Sequence, residues 1–508
     1  MVEKMDRIQF ENTLACFCQK NKSQWKEKNE TDKDFCLIDG FALWPTSINE
    51  VARVGKIIED KYSYKPLVIF NKKSYFQRAF YDMFKSYGIN RFILLKTIQL
   101  SFINIIKTIG LFFIFLFSNY GINVLDYKLK NVEIGKIIYD SALAGKIKIK
   151  SFAYYRLLVV SFLTFEAYEN LIKKYKIKYA VLADKEYITQ GFLFHMLIKN
   201  KIPVIVSGTN RIKVYNSENE NESFLHPGLS ISEIIRKNNI SSQEILEHIQ
   251  KRMNGDFSQH DIQNAYKNKK KYTRNELCIS LKLDETKPNV FIFPHVFSDC
   301  PHNSSYLLFD DYTDWFTNVM RTAENNRNIN IIIKPHPSAY IYGEEDAVIR
   351  ELRKHTSNNI FLCPADFNNA SLKECSDLIV TCQGTIALEM ACLGIPAIVA
   401  GAGYFNGYNI VKEFNSSDEY LDYLANVNTE IKNTRLTNIQ QDNALQLYYY
   451  IYETSIIDKL YPNTIVHGNE LKQESEYLQV MIGNFKSLNM NLENPDNVKF
   501  CNIIKDIC

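Results

Sequence analysis

The chain has 508 residues, of which 46% are hydrophobic and 23% charged, and its formal net charge is only +3. That length gives room for two or three domains of roughly 150 residues with sizeable cores, and the composition excludes a disordered chain. A charge so near balance gives no nucleic-acid signal.

Eleven cysteines stand at 16, 18, 36, 278, 300, 363, 375, 382, 392, 501 and 508. None forms a C-x-x-C pair or a cluster with zinc-ligand spacing, so they read as reduced thiols of a cytosolic protein. The start, "MVEKMDRIQFENTL", is charged and lacks the apolar core of a signal peptide.

Short apolar runs at 35–41 ("FCLIDGF"), 65–70 ("KPLVIF") and 91–95 ("RFILL") predict strands. Residues 97–118, "TIQLSFINIIKTIGLFFIFLFS", approach the length of a membrane span but carry Lys107 at the centre, beside Ser101, Asn104 and Thr108. Three readings stand: a partly buried helix of a large domain, an interfacial helix lying on a membrane, and a true span, which Lys107 makes costly. Runs at 178–184 and 202–208 bracket a helical segment with Ile188, Phe192 and Met196 on one face, which is a βαβ unit. From 212 to 275 the pattern turns polar, with short amphipathic helices, and reads as a connector between domains.

A second α/β unit follows. Strands are expected at 288–293, 329–334, 359–364, 377–382 and 395–401. Asp311 suits an N-cap for a helix whose stripe is Trp315, Phe316, Val319, Met320 and Ala323. A polar helix is expected at 344–355. Continuous apolar strands suit a parallel sheet covered on both faces. Helices are expected beyond 415, and no solenoid repeat is visible.

Ligands of open α/β sheets bind beyond the carboxyl ends of the strands. After 293 come His295, Ser298, Asp299 and His302; after 334 comes His336; after 382 come Gln383, Gly384, Thr385 and then Glu389; after 401 come Gly403, Tyr404 and Asn409. The amides of Gly384, Thr385 and Ile386 open a helix, which suits a phosphate, and Gly384 permits close approach. Glu389, one turn on, can accept from ribose hydroxyls; the plainer reading is an ordinary βαβ turn with a local salt bridge. His336, held between Pro335 and Pro337 with Lys334 nearby, can donate to a phosphate oxygen and assist a leaving group. Asp299 is the candidate carboxylate for attack or base work at a sugar carbon, with an Asx-type turn as the alternative. In the first domain, Asp184, Glu186 and Tyr187 follow a strand, and Glu186 is a candidate second acid or base.

"KPHP" at 334–337, "TCQGTIALEMACLGIPAIVAG" at 381–401 and "FPHVFSDCPH" followed by "LLFDDYTDWF" resemble bacterial capsule polysaccharide biosynthesis glycosyltransferases of the GT-B fold, in particular the branch related to Kdo transferases with an HP motif. The resemblance is good over 285–410, weaker over 130–210 and faint elsewhere. It implies two Rossmann-like doubly wound domains facing across a cleft, with C-terminal helices. The expected division is 1–265 as an acceptor-side domain, 266–430 as a nucleotide-sugar domain and 431–508 as a helical tail.

The resemblance further implies that Asp299 is a catalytic carboxylate, that His336 contacts the donor phosphate, and that Gly384, Thr385 and Glu389 hold phosphate and ribose. The strand exits themselves add His336 and Glu186 to Asp299 as the candidate catalytic set, and His295, Ser298, Lys334 and Gln383 as candidate donor contacts. The donor would be a CMP-sugar or other nucleotide sugar, the acceptor lipid-linked or a polysaccharide. No cofactor, metal or nucleic acid is expected. The implied setting is the cytoplasm or the cytoplasmic face of the inner membrane, with peripheral membrane contact and capsule assembly proteins as further candidate partners. The acidic D/E-D/E-G motif of polysialyltransferases is not matched; "YGEED" (342–346) has the residue types in another order. A UDP-sugar 2-epimerase, a CDP-glycerol-type phosphotransferase and a non-catalytic scaffold of a capsule complex remain alternatives.

Overall fold

In the computed structural model the chain forms two compact units, one of Met1–Glu220 with Ile456–Cys508 and the other of Asn221–Ser455. The structure describes residues 2–23, 25, 34–41, 44–71, 77–118, 124–208, 211–253, 269–355, 357–431, 435–456 and 470–484.

The first unit opens with α1 (Val2–Lys22) and β1 (Asp34–Asp39), then α2 (Pro45–Tyr62), β2 (Lys65–Phe70), α3 (Gln77–Ser86) and β3 (Phe92–Leu94). Helices α4 (Leu95–Gln99), α5 (Phe102–Phe117), α6 (Ile134–Ala144) and α7 (Phe152–Lys174) lead to β4 (Lys176–Leu182). A π-turn at Tyr187–Gly191, α8 (Phe192–Lys199), β5 (Val204–Gly208) and β6 (Arg211–Tyr215) follow. The strand order is β3-β2-β1-β4-β5-β6, parallel except for the β5–β6 hairpin. β6 replaces the start of the expected connector.

The second unit contains α9 (Ile231–Asn238), α10 (Ser242–Met253), α11 (Arg274–Leu281), β7 (Asn289–Phe293), α12 (Tyr312–Asn325), β8 (Asn330–Ile333), α13 (Ala347–Leu352) and β9 (Ile360–Leu362). It continues with α14 (Leu372–Cys375), β10 (Leu378–Thr381), α15 (Ile386–Ala391), β11 (Ala397–Val399), α16 (Ser417–Ala425), α17 (Val427–Glu430) and α18 (Asn438–Tyr449). Its strands run β11-β10-β7-β8-β9, all parallel. Counted from its own first strand, this is the order 5-4-1-2-3. Both sheets therefore reverse winding beside their first strand, β1 against β4 and β7 against β10. That reversal is the switch point where doubly wound sheets take ligands.

The isoleucine run of β8 has a simple cause. Ile332 enters the core under α9, α10, α15 and α18, while Ile331 and Ile333 enter the core under α12 and α16. Successive side chains of a strand point to opposite faces, so a doubly covered strand needs apolar residues at every position. Helix α12 begins as expected: the Asp311 carboxylate accepts the Asp314 amide at 2.8 Å, and Trp315, Phe316, Val319, Met320 and Ala323 are buried.

The expected division at 265/266 differs from the observed one at 220/221. Helices α9 and α10 bury Ile234, Ile245, Ile249 and Met253 in the second unit's core, so apolar burial draws them there. The tail also divides. α18 buries Ala444, Leu447 and Tyr448 in the second unit, whereas α19 (Glu470–Asn484) returns to the first, where Tyr477, Leu478 and Met481 join α1 and α2. The basic run at 267–271 lies partly outside the described residues; within it, the Lys269 ammonium donates to the Ala365 carbonyl.

Residues 97–118 are two helices separated at Leu100 and Ser101, and no helix among the described residues is long and apolar enough to cross a membrane. α5 packs its polar positions inward: Asn104 and Thr108 are buried, and Lys107 pairs with the buried Glu166 of α7 at 3.2 Å.

Candidate functional site

At the second sheet's switch point, a side chain ties the two strand exits together. The backbone N–H of Gln383, just past β10, donates to Nε2 of His295, just past β7, at 2.9 Å. An accepting Nε2 places the proton of neutral imidazole on Nδ1. The ring stacks on Tyr312 at 4.2 Å between centroids, with Trp315 edge-on at 6.5 Å. Burial, helped by the neighbouring His336, holds the His295 pKa down at about 3. His295 is therefore neutral at physiological pH and presents Nδ1–H as a fixed donor.

His336, beyond β8, carries the opposite tautomer. Its Nδ1 accepts the Ser338 amide at 3.1 Å, so the neutral ring offers Nε2–H outward. Protein around the ring lowers its pKa by desolvation, while one edge stays exposed to solvent. The flanking prolines and the turn from the Ala339 amide to the His336 carbonyl (3.1 Å) fix its backbone.

The Gln383 side chain clamps the loop after β7. Its amide nitrogen donates to the Pro301 carbonyl (3.1 Å) and its oxygen accepts from Ser304 (3.2 Å). Gly384 is required by space: a Cβ there would lie 2.6 Å from the Thr381 hydroxyl oxygen, which itself accepts the Gly384 amide at 3.3 Å. The expected trio of open amides is thus reduced to Thr385 and Ile386, which donate to no other group among the described residues. α15 spans only six residues, shorter than the expected helix, and the exposed Thr385 side chain makes no capping bond.

Ser298 is buried, and its amide and that of Phe297 donate to the two carboxylate oxygens of Glu344 at 3.2 and 2.7 Å. Glu344 lies before α13 rather than within the expected helix 344–355. Sequence reading missed its role. The signal was present in "YGEED", where Gly343 adopts φ +59° and turns the acidic run back toward the loop. Asp299 follows in a tight turn, its amide donating to the Val296 carbonyl at 3.2 Å, and it is exposed.

Lys334 points away from this group. Its ammonium donates to the Phe367 carbonyl at 3.0 Å and to Asn369, and lies over the Phe367 ring; burial lowers its pKa to about 8. Tyr404 is buried and its hydroxyl meets that of Tyr452 at 2.9 Å, so the exit of β11 offers no free phenol. Glu389 is partly buried and acts electrostatically on Tyr404 and Cys392. Among the described residues no three His, Cys, Asp or Glu side chains are grouped to hold a metal ion, and the nine cysteines there are free thiols.

Glu186 belongs to the first unit, where the switch point is also tied. The Asp39 carboxylate at the end of β1 accepts the amides of Phe41 (2.6 Å) and of Ala183 past β4 (3.1 Å), and the Gln190 side chain (3.4 Å). The Asp184 side chain accepts the amides of Lys185 and Glu186 in an Asx-type turn after β4.

Burial, reinforced by Asp184, pushes the Asp39 carboxyl up to about 6 against those three donors. Burial likewise pushes Glu474, which accepts from Thr46, up to about 7. A raised folded pKa means that the native state holds more protons than the unfolded chain between about pH 4 and the folded value. Stability is then greatest at the acid end of that window and falls as pH rises through it. Urea unfolding at pH 4 to 7 should show a decline, of which Asp39→Asn removes about 2–3 kcal/mol between pH 4 and 6. A profile unchanged by Asp39→Asn would show that the carboxyl titrates normally.

Residues 201–455 match the family described as "Protein of unknown function (DUF354)". The chain belongs to this family. No curated protein matches it. Among solved structures, the DUF354 chain is similar to the beta Kdo 2,4 transferase KpsC of Thermosulfurimonas dismutans, at 12% identity over 53% of this chain and 79% of the other, with a TM-score of 0.30. It is similar to a glycosyltransferase of Rickettsia africae at 10% identity over 91% and 98%, TM-score 0.27. It is also similar to UDP-GlcNAc 2-epimerase of Neisseria meningitidis at 10% over 83% and 99%, TM-score 0.22. Likenesses this distant carry no weight for choosing an activity.

Proposed function

We propose that this DUF354 protein is a glycosyltransferase whose second unit binds a nucleotide-activated sugar at the β7–β10 switch point. The favoured donor is CMP-Kdo or a related acidic sugar, and the favoured acceptor a capsule or surface glycan. The observation that carries the reading is the meeting of strand exits on one sheet edge. There, two neutral imidazoles with fixed and opposite tautomers stand near the open amides of Thr385 and Ile386. Such a set supplies N–H donors, already oriented, to an anion.

In this assignment His336 Nε2–H donates to the bridging phosphate and stabilises charge as the nucleotide leaves. The amides after Gly384 hold a second phosphate oxygen, and His295 Nδ1–H donates beside them. Asp299 acts at the sugar carbon, as nucleophile or as base. Glu389 accepts from the ribose. Gln383 and Glu344 keep the loop of Ser298 and Asp299 in place, and Lys334 braces the loop at 367–369. Glu186 stays with the first unit's own strand exits and takes no part in this assignment.

CMP should raise the melting temperature more than UDP. Saturation a hundredfold above Kd adds about 2.7 kcal/mol, worth a few degrees. His336→Ala should remove most of the CMP shift. Stabilisation by UDP alone, with isomerisation of a free UDP-sugar in the absence of acceptor, would replace the transferase by the epimerase reading.

A further inference from the structure

Helix α5 is built with its apolar side outward. Phe102 is 79% exposed, Ile114 64% and Phe117 86%, while Asn104 and Thr108 are buried. Part of the inward polarity is met by α7: Asn170 donates to Asn104 at 2.6 Å, and Lys107 pairs with Glu166. Contacts of Asn104 with Asn170 and of Phe112 with Tyr155 set the two helices antiparallel. The carboxyl end of α5, where Phe113 and Phe117 stack at 6.5 Å, therefore runs toward the start of α7. There Phe152 is 81% exposed, and the preceding loop exposes Lys146, Lys148 and Lys150.

The charge pattern selects the occupant. No acidic residue occurs from 95 to 118 or from 141 to 165, whereas Lys96, Lys107, Lys146, Lys148, Lys150 and Arg156 do. A second copy docked face to face would set these cations against their equivalents, which disfavours self-association. An apolar face rimmed by lysine matches an anionic bilayer surface, with aromatic rings at the acyl boundary and ammonium groups among the phosphates. Sixteen residues give a helix of about 24 Å, which suits lying on a bilayer better than crossing it.

We propose that α5 and the loop leading into α7 form a docking surface for anionic lipid, with Phe113, Phe117 and Phe152 inserted and Lys146, Lys148 and Lys150 on the head groups. The surface is independent of the donor site. The full chain should float with vesicles of mixed phosphatidylglycerol and phosphatidylcholine, bind pure phosphatidylcholine far less, and be released by salt. Lys148→Glu with Lys150→Glu should weaken binding at least about fivefold per lysine. Phe113→Ser with Phe117→Ser should weaken it at low salt too. Both pairs are exposed, so their melting temperatures and CMP-induced shifts should match the parent's. Absence of flotation, flotation equal on both vesicle types, or flotation unaltered by both variants would overturn the proposal. So would a dimer that the phenylalanine variant dissociates, in a chain that ignores vesicles.

Discussion

Asp299→Asn is expected to lower glycosyl transfer about a thousandfold while leaving the fold unchanged. The side chain is exposed in a turn whose backbone bond, Asp299 amide to Val296 carbonyl, does not depend on its charge. Asparagine keeps the shape and the ability to accept a turn hydrogen bond. It removes only the negative charge and nucleophilicity that chemistry at a sugar carbon needs. The measurement is turnover of a CMP-sugar with a lipid-linked acceptor, followed by mass spectrometry, beside the CMP-induced melting shift. Lost turnover with a retained shift assigns Asp299 to chemistry rather than donor binding. Retained turnover removes it from the mechanism.

Trp315→Ala should destabilise the second unit by about 3–5 kcal/mol. Trp315 is fully buried, its indole N–H donates to the Tyr420 hydroxyl at 3.2 Å, and its edge walls the His295 ring. Truncation opens a cavity and strands a buried hydroxyl partner. Trp315→Phe refills most of the volume without the N–H and should cost less. Urea unfolding followed by circular dichroism gives both values. A loss under 1 kcal/mol for alanine would mean that α12 and α16 collapse freely into the space. CMP binding should weaken with Trp315→Ala even where the fold survives, because His295 loses one wall.

Much of the second unit was legible because its strands announce themselves. Ile331–Ile333 and Leu378–Val380 are apolar at every position, and the stripe from Trp315 to Ala323 has helical spacing. The strand exits followed directly, which places His295, His336 and Gln383 just beyond β7, β8 and β10. The hydrogen-bond partners were not legible. Nothing local to "FPHVF" says that its histidine accepts the amide of Gln383, 88 positions away. Lys334 misled because proximity in sequence to His336 implied a shared task; its ammonium is instead held by the Phe367 carbonyl and Asn369, partners more than 30 positions away. The boundary at 265 failed for a related reason. Polar composition marked 212–275 as a linker, yet Ile234 of α9 and Ile245, Ile249 and Met253 of α10 bury together in the second unit's core.

The two switch points differ in what already occupies them. In the first sheet the carboxylate of Asp39 sits between strand exits and takes the amides of Phe41 and Ala183, much as a bound phosphate oxygen would. The group that ties those exits is part of the chain itself. In the second sheet the corresponding bond is made by an uncharged imidazole, and two amides are left over. One Rossmann-like layout thus exists twice within one polypeptide, its strand exits tied by a carboxylate in the first unit and by an imidazole in the second.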